Sequence, residues 1–278
     1  MGTRTVNIPP ARTFGWLRMN GTAVETAEQA EETRLELAPG ETRTVIWEGG
    51  GHLAAELGKD AELRLIQVSV GGSGTRISDA RARCADGARF SWYRVLSGGG
   101  ATYDNCSAEL AGEGSAFTAE IGYRLAGQDV YDVNCEAIHT GRRTESHINA
   151  SGVLFDHASK LLRGTIDLRK GCAGAVGSEM EDALLMDETV RNRSLPVILC
   201  AEEDVIGDHG ATIGQPDEQA VYYLTSRGLT EREAEAMLAR AKLEAVIRKI
   251  PDEGVRERLL GDPAVFGGEG GAEEHGLG

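Results

Sequence analysis

His209 is the residue whose type and setting best suit it to chemistry. It stands in DVIGDHGATIGQPDEQAVYYLTSRGL, residues 204–229, where a strand-like run leads into a His-Gly-Ala-Thr element. A turn on Gly214 and Pro216 follows, then a helix that stops at Gly228. A neutral imidazole at the end of a strand can ligate a transition metal or pass a proton near neutral pH. The same ring can instead hold a strand–helix junction, because buried polar groups are normally hydrogen-bonded parts of the structure. Cys172 and Cys200 are the thiols nearest to it in sequence. A thiolate is a soft metal ligand, whereas a free cysteine more often packs as a small hydrophobe. Cys200 follows the run Val197-Ile198-Leu199 and can face either side of a strand. The acidic run Glu202-Glu203-Asp204 could gather cations, but a turn explains it equally well.

The elements that must position these groups fall into two kinds. From Thr42 to about Ile213, short runs alternate polar and apolar residues, as in Glu62 to Val70 and Arg89 to Val95. Period-two alternation is the mark of strands with one buried face. No long amphipathic helix separates them, which disfavours a doubly wound α/β sheet. Ala61, Ala88 and Ser115 each precede a strand and stand 27 residues apart. A helix-free repeat of this length suits the coils of a β-solenoid, with a small residue stacking at each corner. A β-sandwich with regular turns fits the pattern as well. Upstream, Ala23 to Leu37 reads as a short helix. Downstream the chain turns helical, with Pro216 before a helix over Asp217–Ser226 and Gly228 after it. Thr230 and Glu233 form a capping box for a helix that places Ala234, Met237, Leu238, Ala241 and Ala245 on one stripe. Pro251 stops it, and a last helix over Gly254–Leu260 follows.

Composition narrows the partners. The 278 residues carry a formal charge of −15, which repels phosphate backbones and gives no affinity for anionic lipid. No apolar run reaches the ~20 residues of a membrane span, and the N-terminus lacks a signal-peptide core. The expectation is a soluble, cytoplasmic protein that binds neither nucleic acid nor membrane. The five cysteines are widely spaced and odd in number, against both a disulfide framework and a paired-ligand zinc site. No Gly-x-x-x-x-Gly-Lys-Ser/Thr occurs, so this chain binds no nucleotide of its own by that motif.

Three stretches resemble the SufB/SufD family, the scaffold subunits of the SUF iron–sulfur cluster assembly system. They are the strip Pro10-x-Arg12-Thr13-Phe14-x-Trp16-Leu17-x-x-Asn20, the middle elements His139, Thr144, Ser146, Gly152-Val153-Leu154, Asp156, Ala158 and Gly164-Thr165-Ile166, and the 204–229 run itself. The resemblance spans about residues 9–250 and favours SufD. SufB-type chains carry a functional cysteine where this chain has Glu181, and a Glu where it has Gly210.

The resemblance implies a mainly β fold, a right-handed parallel β-helix with a C-terminal helical subdomain. Residues 1–43 would lead in, 44–213 would form the β-helix, 214–260 would dock SufC, and 261–278 would be a disordered tail. It implies a non-enzymatic scaffold that holds a transient iron–sulfur cluster and works with the SufC ATPase. Its other partner would be SufB or a second copy of itself, the latter in a minimal system with one scaffold protein. His209 would lie where two scaffold subunits meet. Glu181 would be a possible hard oxygen ligand, although an exposed, solvated carboxylate is the plainer reading. Tyr222, Tyr223, Leu224, Arg227, Met237 and Leu238 would contact SufC, or the helical stripe would only cover the open end of the solenoid. A carbohydrate-active enzyme on a β-solenoid is the rival from another class, but it needs clustered carboxylates, and the acids here scatter over turns.

Overall fold

The computed structural model describes residues 2–10, 19–26, 32–48 and 50–267. Strands β1 (Gly2–Val6) and β2 (Thr22–Thr26) pair antiparallel. The chain then winds between two parallel seven-stranded sheets. Odd-numbered strands form one: β3 (Glu32–Leu37), β5 (Gly51–Leu57), β7 (Thr75–Cys84), β9 (Ala101–Leu110), β11 (Val130–His139), β13 (Ser159–Leu168) and β15 (Arg191–Cys200). Even-numbered strands form the other: β4 (Thr42–Glu48), β6 (Glu62–Val70), β8 (Arg89–Ser97), β10 (Ala116–Leu125), β12 (Glu145–Leu154), β14 (Ala175–Leu185) and β16 (Val205–Gly214). Each coil contributes one strand to each sheet, and every rung but the first and last pairs with the rung before and after it. The fold is therefore a β-solenoid, mainly β, as the repeat and the resemblance suggested; the sandwich alternative drops out.

The 27-residue spacing has the expected physical basis. Ala61, Ala88 and Ser115 are fully buried at successive corners. The Ala61, Ala88 and Ser115 amides donate to the carbonyls of Gly58, Ala85 and Gly112 at 3.0, 3.0 and 3.3 Å. Gly141 stacks on Gly112 in the next corners, and a Cβ there would collide with the Gly112 backbone. Side chains alternate strictly, so one row of each strand fills the interior. Leu63, Leu65, Phe90, Trp92, Phe117, Ile121, Tyr123 and Ile148 form the dry centre.

Two sequence expectations near the N-terminus change. Residues 23–37 hold no helix among those described: β2 and β3 lie there, so the parallel sheets begin at Glu32 rather than at residue 44. Helix propensity in the Glu/Ala-rich stretch lost to strand pairing, which supplies backbone partners that an isolated short helix lacks. The aromatic strip falls mostly on residues 11–18, outside the described residues. Its end, Met19, is buried against Leu161 and Leu195 of the odd sheet.

The C-terminal helices are α1 (Glu218–Thr225), α2 (Glu231–Ile247) and α3 (Glu253–Gly261), with a 3-10 helix over Pro263–Phe266. The capping box at Thr230 and Glu233 is present. The packing stripe of α2 differs from the expected one: Ala234, Ala239, Leu243, Val246 and Ile247 are buried, while Met237, Ala241 and Ala245 face out. Larger apolar side chains bury more area, so Leu243, Val246 and Ile247 win the inward face over a stripe made mainly of alanines. The helices also do not close the solenoid's end. α2, α3 and the 3-10 helix lie on the outer face of the even sheet, where Leu243, Ile247, Ile250, Val255, Leu259 and Val265 cover Ile66, Val68 and Val95, and α1 packs on α2. Gly122 makes this approach possible, because a Cβ there would stand 3.0 Å from Leu243 and Val246. The tail expected to be disordered from residue 261 is ordered through Gly267, with Val265 fully buried; residues 268–278 lie outside the described part.

Candidate functional site

The last coil, β15 and β16, decides where the candidate residues stand. His209 lies in the middle of β16 rather than at its end, and it is exposed. By register it continues an inward row: Val45, Leu65, Trp92, Ala119, Ile148, Glu179 and His209 are successive ladder neighbours. Gly207, two residues earlier on the same side, lies against the interior side chains Ile198 and Leu168. His209 is thus an inward-row residue that stays open because no described strand follows β16 in its sheet.

Glu181 corrects its expectation. It is 3% exposed, on the inner face of β14. Its carboxylate pairs with the fully buried Lys160 and accepts from Ser194, with Asn192 Nδ2 at 3.4 Å. A carboxylate flanked by hydrophobic coils needs such partners, since an unpaired buried charge is costly. Burial draws the Lys160 ammonium down, and Glu181 opposes that pull. Cys172 is fully buried in a small apolar cluster with Ile166, Leu168 and Ala175, and burial pushes its thiol up. It is a core thiol. Cys200 is exposed at the end of β15, with Sγ 3.1 Å from the Glu202 carbonyl. His209 and Cys200 therefore share the terminal coil, while Glu181 and Cys172 are sealed behind it. No group of three or more His, Cys, Asp or Glu arranged to hold a metal occurs among the described residues.

Glu202 proves to be a turn group. It accepts from the Gly171 amide at 2.8 Å and the Glu203 amide at 3.0 Å, and these backbone bonds hold its carboxyl low. His139, Thr144 and Ser146 meet as a buried network, with ring nitrogens 2.7 and 2.8 Å from the two hydroxyls. Burial pulls the His139 ring down to about 4, so it stays neutral and structural.

Sequence reasoning missed Glu179. It is 4% exposed, ladder neighbour to His209, and makes no hydrogen bond among the described residues. Burial, with the Glu181 charge beside it, lifts its carboxyl to about 7. Gly164 on the facing sheet leaves the room its carboxyl fills. The signal was available: Glu179 and Glu181 are two apart in a strand, so both share one face.

On the helices, Tyr222, Tyr223, Met237 and Arg227 are exposed, while Leu224 and Leu238 are half-buried. Arg227 stacks over the Tyr223 ring at 4.8 Å. Tyr222, Tyr223 and Met237 are thus large side chains left open to solvent, of residue types enriched in interface cores.

The molecule is thus a two-sheet β-solenoid with a helical layer on one face and a histidine on its open terminal coil. Residues 20–242 match the family model described as SUF system FeS cluster assembly, SufBD core domain, and the chain belongs to that family. It is 28% identical over 172 residues to the iron-sulfur cluster assembly protein SufD of Bacillus subtilis, covering 62% of this chain and 39% of the relative. It is 32% identical over 174 residues to an iron-sulfur cluster assembly SufBD family protein of Mycobacterium tuberculosis, covering 62% of this chain and 20% of that protein. Against SufD of Escherichia coli it is 25% identical over 175 residues, 63% of this chain and 41% of the relative. The matched region thus spans well under half of each relative's length.

Proposed function

We propose that this chain is a SufD-like scaffold component of an iron–sulfur cluster assembly complex, with a SufC-type ATPase on its helices and a second scaffold subunit at its last coil. One observation carries the reading. His209 lies on the inward row of the terminal strand of its sheet and is exposed. An edge strand also leaves backbone donors and acceptors free to pair with another chain. A scaffold subunit added across that edge would continue the ladder and enclose His209 at the boundary. Iron and sulfide are cargo in this scheme, not resident cofactors. The imidazole suits iron, and Cys200 is the accessible thiol on the same coil. Glu181 and Cys172 have no part in it, being buried and otherwise engaged. The second scaffold subunit is a SufB-type chain, or a copy of this chain in a minimal system. Its setting is the cytoplasm, and it performs no catalysis of its own.

Anaerobic co-purification with a SufC-type ATPase, with and without a SufB-type chain, tests this. Wild type should retain the ATPase and carry iron and sulfide. His209→Ala should keep the complex and lose most of the iron and sulfide. Undiminished iron and sulfide in His209→Ala would remove His209 from the site. Failure of Tyr223→Ala and Met237→Glu to weaken ATPase retention would remove the helices from that contact.

A further inference from the structure

A cavity of about 610 Å³ lies between α2, the corners of β10 and β12, and the 3-10 helix. It is remote in role from the terminal coil and is the right size for a small organic ligand. Phe155, Phe266, Ala239 and Leu243 give it an apolar, partly aromatic side, and charged side chains line the rest. Two guanidiniums stack on the two rings, Arg124 over Phe155 at 4.8 Å and Arg240 over Phe266 at 4.2 Å.

The two arginines differ in one decisive respect. Arg240 is paired, 2.7 Å from Glu244. Arg124 is half-buried, yet it makes no hydrogen bond or ion pair with any described residue. Among the described residues its N–H donors therefore have no acceptor, and leaving a partly desolvated charged fork unanswered is costly. Burial pulls its pKa down; the Asp129 and Asp156 charges oppose that pull without hydrogen-bonding to the guanidinium among the described residues.

Carboxylates also line the cavity, but three of them are committed to the backbone. Asp156 accepts from the Gly127 amide at 2.7 Å, Asp187 from the Asp156 amide at 2.6 Å, and Glu233 from the Thr230 amide at 2.7 Å. Arg232 and Glu235 carry opposite charges at the α2 end. Nothing described on the protein supplies Arg124 with the planar, two-oxygen acceptor that a guanidinium matches best.

We infer that this cavity is a binding site for a small aromatic carboxylate, whose ring lies between the Phe155 and Phe266 walls and whose carboxylate takes the free fork of Arg124. The pairing is specific in both parts: an aliphatic acid would forfeit the ring contacts, and a neutral aromatic would leave Arg124 unanswered.

The probe is 2-naphthoate, with 2-naphthylmethanol as its uncharged counterpart, titrated into the full-length protein and followed by amide NMR shifts. Naphthoate should saturate and shift amides around Arg124, Phe155 and Ala239. The alcohol should bind at least about tenfold more weakly, the scale of one charge-assisted hydrogen-bonded pair. Arg124→Gln should weaken naphthoate by a similar factor, and Arg124→Lys by less, since it keeps the charge and loses the fork. Arg124 gives up its stacking on Phe155 but no hydrogen bond or ion pair to a described residue, so unfolding in urea, run beside each titration, separates lost binding from lost fold. Phe155→Leu, which retains an apolar wall, should weaken both probes alike. The inference is overturned by non-saturating shifts, by equal binding of acid and alcohol, or by naphthoate affinity indifferent to Arg124→Gln.

Discussion

The middle and the last coil of this solenoid obey the same side-chain alternation and reach opposite ends. In one inward row, Trp92, Ala119 and Ile148 are sealed on both sides by neighbouring rungs, whereas Glu179 is buried with no hydrogen bond among the described residues and His209 is open. The adjacent row does not repeat the trend: Gln67 and Arg94 are buried in middle rungs, each held by hydrogen bonds, Ile121 and Ala150 follow, and the row runs through Glu181 to Ala211. What changes is the number of neighbours. A solenoid rung gets its burial from the rungs above and below, so a middle rung must be apolar or fully paired. The terminal rung has one neighbour within the chain and can present polar groups to something outside it. In the row that ends at His209, polarity therefore rises towards the end that lacks a cover.

The contrast breaks most plainly at Trp92. It is fully buried, and its indole N–H donates to Gln67 at 3.0 Å. Trp92→Ala should cost about 4 to 5 kcal/mol, from lost packing and an orphaned amide, read by urea unfolding. A loss under about 1 kcal/mol would mean that the middle rungs are not the tight part of the molecule. Lys160→Met should cost about 3 to 4 kcal/mol, because it strands the Glu181 charge inside. Lys160→Met combined with Glu181→Met should recover most of that loss, since a buried pair replaced by apolar volume is often neutral. If the double variant is as unstable as the single one, the pair is integral to the packing near the last coil and not merely a neutralised charge.

Much of this contrast was legible beforehand, and the rest failed for identifiable reasons. The coils were visible because Ala61, Ala88 and Ser115 keep a fixed spacing, and corner sterics impose that spacing locally. The capping box at Thr230 was visible for the same reason, being settled within four residues. The buried state of Glu181 was not, because its solvation depends on Lys160 and Ser194, one on each of two separate rungs of the facing sheet. The inward face of α2 was misread because its apolar residues occupy more than one side, and only the sheet surface beneath selects among them. The seat of the helices on the even sheet turned on Gly122, a bare backbone position whose meaning appears only once Leu243 lies on it.

Acidity gives a subtler handle on the same boundary. Glu179 is held at about 7, against 4.5 for an unperturbed carboxyl, so the folded metal-free protein keeps a proton that the unfolded chain has released. Its contribution is complete below about pH 4.5 and is lost as pH rises through about 7, which corresponds to roughly 3 kcal/mol. His139 works in the opposite sense: its ring at about 4 favours the fold above about pH 6.5 and loses that support as pH falls. The two slopes mask one another in wild type between about pH 4.5 and 6.5. Glu179→Gln should therefore gain stability relative to wild type as pH rises from 4.5 to 7, measured by urea unfolding at a series of pH values. A pH-independent difference would show that Glu179 is ionised in the fold and that the step in polarity begins elsewhere.

His209→Ala should show the smallest change in stability and the most pointed consequence for the comparison. An exposed side chain on a one-sided rung contributes within about 0.5 kcal/mol, so the isolated chain should unfold at nearly the same urea concentration with and without the ring. Ile148→Ala, two rungs behind it on the same inward line, should cost about 2 to 4 kcal/mol. The ratio of these two losses measures how far burial has decayed by the last rung. Should His209→Ala destabilise the isolated chain as much as Ile148→Ala does, the ring would be an interior group held by the coil itself. The exposed imidazole could then no longer be read as a residue kept for an incoming subunit.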